Sequence, residues 1–164
     1  MKKLRLLKDE RYIKIFTTVF VLVWCIVIFY LSHQNANVSG SSSLEIVKSI
    51  SEQITNTELT KNDLDNINNI FRTFMHGFVY FVLSFLTLIA SYFLKVKNMY
   101  IVAVSFTFIY SITDEIHQHF IPGRSCEIND ILVDFIGNIL AVVVFLMFSK
   151  ILKVIRVKQK KYLK

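Results

Sequence analysis

Proline occurs once in the 164 residues, at Pro122, and glycine four times, at Gly40, Gly77, Gly123 and Gly137. Long stretches therefore carry nothing that breaks a helix; between residues 63 and 94 there is only the tolerable Gly77. The two cysteines, Cys25 in an apolar run and Cys126 in a polar one, have neither metal-ligand spacing nor the number a disulfide framework needs. No glycine-rich phosphate loop is present, and no serine or cysteine stands in a nucleophile elbow. Charge is also scarce. Only 19% of residues are charged against 54% hydrophobic, and mean hydropathy is +0.50. A chain so apolar is not an ordinary soluble domain, and its length suits one compact bundle. It reads as an all-α integral membrane protein, a single domain over residues 1–164.

Four apolar segments supply the spans, at about 15–32, 71–94, 99–120 and 129–149, with an outer loop over 33–69. The first follows a basic stretch containing Lys2, Lys3, Arg5, Lys8, Arg11 and Lys14, as a signal peptide would. The only small-residue cleavage site after it, Ala36-x-Val38, is poor, so an uncleaved span is expected. In the loop, Ser42-x-x-Glu45 and Thr60-x-x-Asp63 have capping-box form, which predicts two amphipathic helices, the second running on into the next span. Residues 99–112 are apolar but too few to cross hydrocarbon, so 114–120 must complete the third crossing. Pro122 and Gly123 then end that helix.

The formal net charge is +7. Fifteen of the 19 Lys and Arg lie in residues 1–14, 95–98 and 150–164, where only Asp9 and Glu10 of the 12 acidic residues are found. Basic residues placed this way flank spans rather than contact nucleic acid, and no nucleic-acid partner is expected. The basic side is expected to be cytoplasmic, with both termini inside and the regions 39–69 and 114–130 outside.

Polar residues in the spans fall on faces. Arg72, His76 and Tyr80 recur every four residues on the second span, as do Asp130, Asp134 and Asn138 on the fourth. Roughly 6 Å of depth separates neighbours in each row. The third span presents Asp114, His117 and Gln118 at i, i+3 and i+4, with Glu115 and His119 beside them. Three helices thus bring polar rows to one depth, where charges are costly unless paired or hydrated. Arg72 with Asp130 or Asp134, and His76 with Asp114, are the expected pairs. Gly137 and Ala141 would let the fourth span approach a neighbour closely. Arg124 can reach back over the mouth. Expected ligand contacts are Arg72, His76, Tyr80, Gln118, Arg124, Asp130 and Asp134; candidate catalytic groups are Asp114, Glu115 and His117. A closed structural network is equally compatible with these residues. The pair His117-x-His119 points to different helix faces and lacks the zincin pattern, so no metal is assigned and no cofactor is expected. Trp24 and Tyr30 read as packing and interface anchors.

The run Tyr110-Ser-x-x-Asp-Glu-x-His-Gln-x-Phe-x-Pro-Gly-Arg124, followed by Asp130-x-x-x-Asp134-x-x-Gly137, resembles the VanZ-like family of bacterial membrane proteins. Arg72-x-x-x-His76-x-x-x-Tyr80 and the early Trp24 with Phe29-x-Leu31-Ser-x-Gln34 look like that family's other marks. Arg72 stands where members commonly have lysine, and His33 where a small or hydroxyl residue is usual. The resemblance implies a multi-span inner-membrane protein named for a member linked to low-level resistance to teicoplanin, a lipid-bearing glycopeptide. Some relatives carry acyltransferase labels, but no acyl-CoA or phosphate-binding motif supports that here. Three functions remain. One is an outward polar pocket binding a lipid head group or the antibiotic. Another is an acid/base enzyme on a lipid-linked envelope precursor, and the third a structural partner subunit.

Overall fold

The structure, a computed structural model, describes residues 2–55 and 60–162. Residues 56–59 of the expected outer loop, and residues 1, 163 and 164, lie outside it. Among the described residues all regular structure is helical: α1 (Lys2–Ser32), α2 (Ala36–Thr55), α3 (Lys61–Phe93), α4 (Met99–His119) and α5 (Ile128–Tyr162). Four of them, over Glu10–Ser32, Lys61–Phe93, Met99–His119 and Ile128–Ile151, are long and apolar enough to cross a membrane. This is a multi-pass membrane protein.

The helix ends follow from local chemistry. At α3 the Thr60 hydroxyl accepts from the Asp63 N–H and the Asp63 carboxylate accepts from the Thr60 N–H, which is the expected capping box. From there α3 continues without a break through its 33 residues, a length of about 50 Å that exceeds a hydrocarbon core of about 30 Å. Its far end closes as a Schellman motif: the Lys95 N–H reaches the Tyr92 carbonyl and the Val96 N–H the Ser91 carbonyl. Lys95 takes the left-handed position, at φ 60°. Beyond α4 the Ile121-Pro122-Gly123-Arg124 turn has Gly123 at φ 78° and an Arg124 N–H bonded to the Ile121 carbonyl at 3.1 Å. Proline at the first central position and a positive-φ glycine at the second suit a type II turn.

One expected cap is not used. Ser42 lies inside α2, which starts six residues earlier at Ala36. The Ala36 N–H finds its acceptor on the Pro122 carbonyl, 3.4 Å away. A partner from the α4–α5 loop, remote in sequence, sets that helix start.

Helix α3 is the centre of the bundle and packs against each of the other four. Its core contacts join Val21 and Ile28 of α1 to Tyr80, Leu83 and Ala90. Two polar bonds fix the α1 face: the Trp24 Nε1–H donates to the Val79 carbonyl at 3.0 Å, and the Tyr110 hydroxyl donates to the Cys25 carbonyl at 2.7 Å. Trp24 therefore anchors α1 to α3. On the other side α3 and α5 meet at two glycines, with the backbone of Gly77 against Gly137. Ala141, one turn further along, is fully buried. Large apolar side chains such as Ile70, Phe74, Ile101, Ile109 and Ile136 point outward, as lipid-facing positions do.

Candidate functional site

Polar side chains from four helices and the α4–α5 loop gather at the α2 end of the bundle. Most sort into two adjoining groups. In the first, Asp114 accepts from the Ser32 hydroxyl at 2.8 Å and from Gln118 Nε2 at 3.1 Å, both on Oδ2. The Gln118 carbonyl oxygen in turn accepts from Arg124 Nη1 at 2.9 Å, and Arg124 Nη2 reaches the Leu31 carbonyl at 3.3 Å. Arg124 therefore does reach back over the bundle, and the turn at Pro122–Gly123 is what brings it there. Burial lowers its pKa from the ordinary value, the like charge of Arg72 adds to the effect, and Asp114, Glu115 and Asp130 oppose it.

In the second group His76 stands between two carboxylates, with Nδ1 3.8 Å from Asp134 Oδ1 and Nε2 3.9 Å from Asp130 Oδ2. The Ser111 hydroxyl donates to Asp134 Oδ2 at 2.6 Å. Glu115 Oε2 accepts from the Glu127 N–H at 3.2 Å. Deeper in the bundle, Ser84 donates to Asn138 Oδ1 at 2.7 Å, and Asn138 Nδ2 donates to the Val104 carbonyl at 3.0 Å. Asn138 thus ties α3, α4 and α5 together, leaving few of its polar atoms unmet in a dry environment.

The pairing differs from the sequence expectation. His76 faces Asp130 and Asp134, while Asp114 turns to Ser32 and Gln118. Arg72 makes no ion pair or hydrogen bond among the described residues. Arg72 instead lines a cavity of about 180 Å³. Tyr80, His76, Asp114, Gln118 and Arg124 line the same cavity, whose apolar wall includes Ile28, Leu31, Phe71, Met75 and Val79. Ser39 and Ser43 of α2 close one side.

The catalytic candidates are not assembled into one constellation. Asp114 lines the cavity, and Glu115 turns toward the start of α5. His117 stacks on Phe29 at 4.8 Å between ring centres, with its Nε2 3.4 Å from His33 Nδ1. His119 is exposed. Ser32 and Ser111, which position two carboxylates, carried no assigned role in the sequence reading. The available signal was a hydroxyl at the polar end of one span and another three residues before Asp114.

The family model VanZ/LLP1 matches residues 17–149, which include every site residue named above. No curated protein and no solved structure matches the chain.

Proposed function

The chain belongs to the VanZ/LLP1 family, and on that premise we propose that it is an envelope membrane protein whose cavity binds the anionic head group of an amphiphile, a membrane lipid or a lipid-bearing glycopeptide such as teicoplanin. The observation that carries this reading is Arg72, unpaired among the described residues, close to Arg124 on a cavity with one apolar wall. A guanidinium offers forked donors to phosphate or carboxylate, and its charge-assisted bonds are stronger than neutral ones. The apolar side suits the first carbons of an acyl chain. Asp114 and His76 lie where they would orient the polar part, and α2 covers the site as a lid. With the termini inside, this end of the bundle faces outward, where a lipid-directed antibiotic acts.

The test has two arms. Binding of phosphatidylglycerol and of phosphatidylcholine to the purified protein is measured by native mass spectrometry. Phosphatidylglycerol should be retained preferentially, and Arg72→Ala or Arg124→Ala should weaken it about 10- to 100-fold, the equivalent of a charge-assisted bond of about 1.5–3 kcal/mol. In parallel, teicoplanin and vancomycin susceptibilities are compared in a sensitive Gram-positive host expressing each form, with membrane levels quantified. Protection confined to teicoplanin, and lost in variants present at normal level, supports the reading. Equal lipid retention by wild type and both arginine variants would defeat it.

A further inference from the structure

We infer that His76, Glu115 and Asp134, one residue from each of α3, α4 and α5, form a binding site for a divalent transition-metal ion. Each offers one ligand atom, and these atoms all lie within 4.8 Å of one another. This set is distinct from the His117/His119 pair considered in the sequence, and it goes beyond the anionic head-group reading without depending on it.

The hydrogen bonding of the two carboxylates carries the argument. Both residues are about 1% exposed. In each, one oxygen is held by a donor: Asp134 Oδ2 by the Ser111 hydroxyl, Glu115 Oε2 by the Glu127 N–H. The other oxygen of each, Asp134 Oδ1 and Glu115 Oε1, is buried with no hydrogen-bond partner among the described residues. Buried acceptors are rarely left unmet, because desolvation without a partner is costly. Carboxylates whose outer oxygen is anchored and whose inner oxygen is bare have the form of oriented metal ligands.

His76 completes the set. Its Nδ1 is 3.8 Å from the bare Asp134 Oδ1, too far for a hydrogen bond. Ligand atoms about 2.1 Å from a tetrahedral ion stand about 3.4 Å apart, so an ion would draw this edge in by about 0.4 Å and the widest edge, within 4.8 Å, by about 1.4 Å at most. The opposite ring nitrogen looks toward Asp130 at 3.9 Å, likewise beyond hydrogen-bonding distance but on the side from which an outer carboxylate orients a metal-bound histidine once drawn in.

An imidazole with two carboxylates is a donor set for zinc or manganese rather than for magnesium, which prefers oxygen alone.

The full-length protein in detergent would be stripped with a chelator, loaded separately with Zn²⁺, Mn²⁺ or Mg²⁺, desalted and assayed for bound metal and for melting temperature. Zinc or manganese should be retained stoichiometrically and raise the melting temperature, whereas magnesium should not. Glu115→Gln and Asp134→Asn should lose the ion, and Ser111→Ala should weaken it about 10- to 100-fold. His33→Ala with His117→Ala should retain it, and so should Arg72→Ala, which separates this site from the head-group reading. Pulsed electron paramagnetic resonance of the Mn²⁺-loaded wild type should show coupling to a histidine nitrogen, a measurement that needs no variant to fold. Absence of retention and of a melting shift with every metal would overturn the site. Undiminished retention in both carboxylate variants, or no nitrogen coupling, would also overturn it.

Discussion

Replacing Gly137 by alanine tests the close crossing of α3 and α5 on which the polar cluster depends. A Cβ at Gly137 would run into the Gly77 carbonyl oxygen and would lie 2.8 Å from its carbon and 3.1 Å from its Cα. These are backbone atoms, so no side chain can turn aside. Restoring an ordinary carbon contact of about 3.5–4 Å requires the helices to part by roughly 1 Å. Such overpacking costs about 1–3 kcal/mol. The same displacement would stretch the neighbouring Ser84–Asn138 bond, now 2.7 Å, out of hydrogen-bonding range. Leaving a buried amide unmet adds about 1–3 kcal/mol, for a total of about 2–6 kcal/mol. Gly77→Ala provides the control, because its Cβ would meet Val133 at 3.2 Å on the side chain and 3.3 Å on the carbonyl. A few tenths of an ångström of adjustment accommodates that, at a cost of about 1 kcal/mol or less. Equilibrium unfolding of the two variants in mixed detergent micelles reads the difference directly. Equal destabilisation, or a Gly137→Ala protein within about 0.5 kcal/mol of wild type, would show that the crossing is not as close as described.

Two further outcomes are expected. Lys95→Gly should stabilise the protein by about 0.5–1 kcal/mol in the same assay, because Lys95 holds a left-handed conformation that glycine adopts without strain. The ion pair it would lose, to Glu10 at 3.8 Å, joins two well-exposed side chains and contributes little. Cysteine labelling in intact cells should modify Ser42→Cys with an impermeant reagent and leave Lys158→Cys unlabelled; the reverse pattern would invert the orientation and place the cavity on the cytoplasmic side.

Much of this protein is legible along the chain because membrane helices are specified locally. Runs of apolar residues lacking proline predict four crossing helices, and the Thr60/Asp63 pair marks the start of the second. A spacing of four residues places Arg72, His76 and Tyr80 in one row and Asp130, Asp134 and Asn138 in another. That these rows would meet followed from depth alone, since a charged group facing lipid is too costly to leave there. Gly137, flagged as a small residue that would permit close approach, lies at such an approach.

Tertiary structure decided the rotation of each helix about its axis, and with it every specific partner. Asp114 and Glu115 are adjacent in sequence and about 100° apart around α4. Packing turns the first toward α1 and the cavity and the second toward α5. The same rotation sends His117, which shares a face with Asp114 in the helical repeat, against Phe29 and His33. His76 could have met Asp114; the glycine crossing of α3 with α5 puts it beside Asp130 and Asp134 instead. Ser32 and Ser111 acquired their roles in the same way, and α2 begins where Pro122 supplies an acceptor. Hydropathy and helical period depend on neighbours in the chain, so the sequence alone determined the spans and the depth of the polar band. Hydrogen-bond partners and bare carboxylate oxygens depend on how neighbouring helices pack, so only the assembled bundle could determine them.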